Sequence, residues 1–83
     1  MKLLIEQNNN EKLSNVFDIL YDVSNHEDVI ENVRWSPNKN KIILDMSYNK
    51  ALEIFLRDDK LIIRGDMNFG KYIQNILHKY DYK

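Results

Sequence analysis

The sequence predicts a two-layer α+β sandwich. A four-stranded antiparallel meander, extended by a short N-terminal edge strand, carries two helices on one face in the order β-α-β-β-β-β-α. Three observations lead there. Apolar residues recur at helical spacing in two separate stretches, over residues 11–23 and 68–80. Between them, over residues 31–65, the period changes to two. The connections between the alternating runs have the short lengths of β-hairpin loops. With 83 residues the chain is expected to form one domain spanning 1–83.

Taken in order, Lys2-Leu3-Leu4-Ile5-Glu6 reads as the short first strand, stopped by the polar tract Gln7-Asn8-Asn9-Asn10. An asparagine of that tract is expected to cap the helix that follows. Leu13, Val16, Phe17, Leu20 and Ser24 then fall on one face, widened by Ile19 and Val23, which predicts a helix from Glu11 to about Val23. Val33 and Trp35 alternate with Asn32, Arg34 and Ser36, and Ser36-Pro37-Asn38-Lys39-Asn40 reads as a turn. Strands are expected over Lys41–Ser47, Ala51–Arg57 and Lys60–Arg64, joined by Tyr48-Asn49-Lys50 and by Asp58-Asp59. Phe69, Ile73, Ile76, Leu77 and Tyr80 predict a second helix from about Asn68 to Tyr80.

The registers constrain one another, because a slip of one residue would exchange the two faces of the sheet. A two-residue Asp58-Asp59 turn pairs Phe55 with Ile62 and Glu53 with Arg64. A three-residue Tyr48-Asn49-Lys50 loop pairs Ile43 with Phe55 and Leu44 with Ile54. A four-residue Pro37–Asn40 loop pairs Trp35 with Ile42 and Val33 with Leu44. All three put Val33, Trp35, Ile42, Leu44, Met46, Leu52, Ile54, Leu56, Leu61 and Ile63 on one face, against which both helices bury their stripes.

The opposite face carries all three arginines, Arg34, Arg57 and Arg64, with Lys41 and Lys60, against only Asp45 and Glu53. Across its middle runs an expected apolar row of direct neighbours, Ile43–Phe55–Ile62. An aromatic centre ringed by arginines has the composition of a partner-binding surface, so Ile43, Phe55, Ile62, Arg34, Arg57 and Arg64 are the expected contact residues. The same residues would also suit base stacking on an open sheet, with Phe55 as platform and the arginines on phosphates. The ordinary alternative is cross-strand packing on a solvated sheet, worth about 0.2–1 kcal/mol per pair. A weak homodimer through this face is a further expectation.

Charge is segregated in sequence as well. Residues 11–31 hold six acids against Lys12 alone, a net of −5. Glu11, Asp18, Asp22, Glu27 and Asp28 form an expected acidic docking surface on the first helix and the loop after it, in a chain of net charge −1 and pI near 6.1. A solvated helix face is the ordinary explanation of such a run.

Catalytic chemistry finds no foothold. There is no cysteine, so a thiol nucleophile, a zinc finger and a disulfide scaffold are excluded together. His26 has acids around it but no second imidazole, and no metal or cofactor is expected. Gly65 and Gly70 form no phosphate-cradling loop, and no serine stands in a nucleophile motif. The longest apolar runs are three residues, such as Ile42-Ile43-Leu44, far from the roughly 20 a membrane helix needs. The N-terminus lacks an apolar leader, so the chain is expected to begin where it reads and to reside in the cytoplasm of a bacterial or host cell. Asn, Ile, Lys and Tyr make 35 of 83 residues and threonine is absent, a composition that fits an AT-rich genome such as a low-GC bacterium or a phage.

Together these readings point to a small non-enzymatic protein that docks onto another protein as a regulator or inhibitor, of phage or mobile-element (anti-defence) type. A single-stranded RNA-binding module using the sheet face, or a bacterial accessory domain, is the alternative. The low pI weighs against nucleic acid as the partner.

Overall fold

The computed structural model describes the backbone of residues 2–80 and the side chains of residues 11–80. Its elements are α1 (Lys2–Ser24), β1 (Ile30–Trp35), β2 (Ile42–Met46), a 3₁₀ turn (Ser47–Asn49), β3 (Lys50–Arg57), β4 (Lys60–Gly65) and α2 (Met67–Lys79). The four strands form one antiparallel sheet in the order β1-β2-β3-β4, the expected meander.

The expected N-terminal edge strand is not there. Residues 2–6 are the first turns of α1, and Asn8–Asn10 lie inside the helix instead of capping it. Residues 2–10 contain no glycine or proline, and Leu, Lys, Glu and Gln are good helix formers. Once the turns around Leu13 and Val16 are fixed by packing, extending the helix backward adds one hydrogen bond per residue without a new nucleus. A strand at 2–6 would instead have to find an edge.

The core follows the expected stripes. Leu13, Val16, Leu20 and Val23 of α1 and Ile73 and Leu77 of α2 are buried against Val33, Ile42, Leu44, Met46, Leu52 and Ile54. Phe17 stacks on Trp35 with ring centroids 5.0 Å apart, fixing α1 over the end of β1. Ile30 is also buried, which strict alternation does not predict. A bulge between Ile30 and Asn32 inserts one residue, so Ile30 and Val33 face inward with two exposed residues between them. Tyr80, expected on the buried face of the last helix, is 47% exposed and lies just beyond its end.

Two of the three registers are as expected. Trp35 pairs with Ile42 and Val33 with Leu44; Phe55 pairs with Ile62 and Glu53 with Arg64. Asp58 and Asp59 both have positive φ, 51° and 67°, the signature of a two-residue turn matched to strand twist. The third differs by two residues. The loop is Ser47-Tyr48-Asn49, with Tyr48 and Asn49 at φ 64° and 60°, so Met46 pairs with Lys50 and Ile43 with Glu53. A shift of two changes the partners but not the faces. The apolar row is corrected accordingly: Phe55 and Ile62 are direct neighbours, and Ile43 is diagonal to Phe55.

α2 begins at Asp66, whose carboxylate accepts from the Phe69 N–H at 3.0 Å. Tyr72 of α2 donates its hydroxyl to Glu27 in the loop after α1, at 2.8 Å, tying the two helices together at one end. Burial and that bond to a carboxylate push the Tyr72 phenol up to about 12.

Candidate docking surfaces

The outer face of the sheet brings the six expected contact residues onto one surface, but not as an open apolar anchor. Phe55 is only 9% exposed although neither helix covers it. Its cover is cationic: Lys41, Arg57 and Arg64 stand over the ring, 5.5, 5.7 and 5.2 Å from its centroid. Long basic side chains lay their methylenes on apolar surface while their charged ends stay wet, and the ring face attracts the cation. Ile43 and Ile62 are half-buried beside it. Lys41, one residue before β2 and absent from the expected contact set, completes this cage; its place on the outer face of the expected strand Lys41–Ser47 was the available signal.

The charges on this face are largely consumed within it. Arg34 donates Nε to Asp45 at 3.0 Å, and that hydrogen bond, with the carboxylate's charge, raises the guanidinium above its ordinary value. Glu53 lies between Arg64 and Lys41, accepting Arg64 Nε at 3.1 Å with Lys41 Nζ at 3.9 Å. The Arg64 hydrogen bond, aided by the charges of Lys41 and Arg64, holds the Glu53 carboxyl below its usual range. Arg57 and Lys60 make no ion pair among the described residues. A base seated on Phe55 would have to displace three cations, two of them already held by Glu53. A second copy would likewise gain little apolar area from a ring so nearly covered.

The acidic surface is open. Glu11, Asp18 and Asp22 are exposed on α1 at intervals of seven and four residues, which places them on one helix face, and Glu27 and Asp28 are exposed in the loop beyond. Lys12, the one cation in this segment, is drawn away to Asp59 in the β3–β4 turn, Nζ to Oδ1 2.7 Å. Glu11, Asp18, Asp22 and Asp28 therefore have no ion-pair partner among the described residues. Among the described residues Glu27 accepts only the Tyr72 hydroxyl. Tyr21, 56% exposed, lies in the same stretch of helix and stacks against Phe17.

Among the described residues no polar or charged side chain is buried, and no group of three or more His, Asp or Glu side chains is placed to hold a metal ion. No described helix is long and apolar enough to cross a membrane. Compared with protein-family models, curated proteins and solved structures, the chain matches none of them.

Proposed function

We propose that the protein acts without catalysis, by docking onto a partner protein through its acidic helix layer and so regulating or inhibiting it. The observation that carries this reading is the row of exposed, unpaired carboxylates at Glu11, Asp18, Asp22 and Asp28. On the sheet and its β3–β4 turn, Asp45, Glu53 and Asp59 are each held in an ion pair, whereas among the described residues these four are not. An unneutralised acidic stripe costs folding a little self-repulsion and steers a basic partner into contact. A partner surface that itself holds nucleic acid would present such cations, which accords with an inhibitor encoded by a phage or mobile element, as does the AT-rich composition. The aromatic of the other face lies under its own cations, so the sheet contributes solubility and rigidity more than a contact anchor.

The test is capture of a stoichiometric protein from a low-GC bacterial lysate by the wild-type chain and by Asp18→Lys/Asp22→Lys. The double reversal should lose the partner, added salt should weaken it, and Arg57→Glu should retain it. A partner kept by the double reversal but lost by Arg57→Glu would move the docking surface to the sheet.

A further inference from the structure

We infer that the free edge of β4 takes up an extended segment of another protein, alternating apolar and acidic residues, as a fifth strand of the sheet. β4 is the last strand in the order and, among the described residues, pairs only with β3. The two-residue turn makes Arg57 and Lys60 a hydrogen-bonded pair, so Leu61 and Ile63, one and three residues further on, turn their N–H and C=O groups outward. Those groups have no backbone partner among the described residues. Strand addition to such an edge is a recurrent way of binding an extended peptide.

The space beside that edge is shaped for the purpose. A groove of about 500 Å³ runs between β4 and α2, lined by Leu61, Ile63, Met67, Gly70, Lys71 and Gln74 among others. Met67 is 73% exposed at its mouth. Gly70 forms part of its wall, and the fold does not require a glycine there: a Cβ would meet only Ile63 Cγ2, at an ordinary 3.7 Å. Glycine weakens a helix relative to alanine, so its presence in the first turn of α2 leaves the groove wide at a cost to α2.

Charge selects the occupant. Side chains of an added strand alternate between the two faces of the sheet. Those pointing toward α2 would enter the groove against Leu61, Ile63 and Met67 and must be apolar. Those on the outer face would lie beside Ile62, next to Lys60 and Arg64, and are best acidic. Lys60 makes no ion pair among the described residues, while Arg64 shares its charge with Glu53. Lys71, lining the groove, adds to the attraction. A second copy of this chain fits less well. Antiparallel pairing of β4 with itself about Ile62 sets Lys60 against Arg64 of the other copy at both ends.

The test needs no natural partner. A capped peptide of about seven residues alternating glutamate and valine, long enough to span one strand, is titrated into the full isotope-labelled chain. The control has lysine in place of glutamate. The Leu61 and Ile63 amide protons should shift and become protected from exchange, and the lysine peptide should bind at least about tenfold more weakly. Gly70→Leu should fill the groove and weaken binding by a similar factor. Should that variant fail to fold, Lys60→Glu/Lys71→Glu serves, with the same direction of effect. Unmoved Leu61 and Ile63 amides, or equal binding of the two peptides, would overturn the proposal. So would protection of these amides that rises with protein concentration alone, which would identify a second copy as the occupant. The acidic face of α1 can attract the lysine control, so each affinity is read from the Leu61 and Ile63 amides alone, and either surface can then fail its test without the other.

Discussion

Removing the Phe55 ring should cost stability, because the ring is packed and not offered. Fully burying a phenylalanine side chain contributes about 1.5–3 kcal/mol, and at 9% exposure Phe55 realises most of that. Alanine is also a poorer strand residue, on a scale that spans about 1 kcal/mol. The cations over the ring add about 0.5–1 kcal/mol in all, since each exposed contact is worth about that much and three like charges around one ring oppose one another. No lasting cavity follows, because the cover consists of flexible stems that can collapse into the space. Phe55→Ala should therefore destabilise the fold by about 3 kcal/mol. Phe55→Leu keeps the apolar volume and loses only the ring's charge distribution, so it should cost about 1 kcal/mol, or about 4–8 °C in Tm for a domain of this size. Urea denaturation with a common m-value measures both. A loss below about 0.5 kcal/mol for Phe55→Ala would show that the ring gains nothing from its cover and is free to meet a partner, as the sequence alone suggests.

Gly65→Ala should be among the most damaging single substitutions. At φ +138° its Cβ would stand 2.6 Å from the Ala51 carbonyl oxygen and 2.8 Å from Leu52 Cδ2. Backbone on the central strand cannot yield, so a loss of at least about 2–3 kcal/mol is expected in the same urea assay. Tyr72 gives a pH prediction: its phenol has an ordinary value of 10 and is raised to about 12 in the fold, so the folded state holds the proton longer than the unfolded chain. The stability linked to keeping this phenol protonated, from its burial first and its bond to Glu27 second, should be complete below pH 10 and lost as pH rises from 10 to about 12. Tyr72→Phe should remove that part of the alkaline decline in paired melts.

The sequence carries the faces of this sheet more firmly than its pairings. Side-chain alternation fixes only whether a residue points in or out, so the β2–β3 loop could begin one residue earlier than expected and still leave every core residue in place. The pairing depended on Tyr48 and Asn49 both accepting positive φ, and for a tyrosine the sequence gives no sign of that. Ile30 was hidden for a related reason, since a bulge breaks the period that reveals core positions. The acidic surface was legible because exposed charge on a helix needs only the helical period to be placed. The closure of Phe55 was not, because it depends on where the ends of three long side chains settle. The β4 groove was invisible for a different reason: it exists only through the position of α2 beside an edge.

That edge is open because of the one element the sequence misplaces. A strand at residues 2–6 would have joined the sheet at one side; as helix, those residues leave both β1 and β4 without a neighbour among the described residues. The two edges are not equivalent. β1 is interrupted at Glu31 by its bulge, and Glu31, Asn32 and Arg34 are exposed on it, features that discourage a regular ladder. β4 keeps an unbroken register with β3 from Lys60 to Gly65 and carries Leu61-Ile62-Ile63 at its centre. An incoming strand that needs evenly spaced backbone partners and apolar contact finds both along the whole of β4, whereas the regular register of β1 is confined to Asn32–Trp35. The charged residues at either end of that apolar centre, Lys60 and Arg64, hinder pairing with a like copy while favouring a strand of opposite charge.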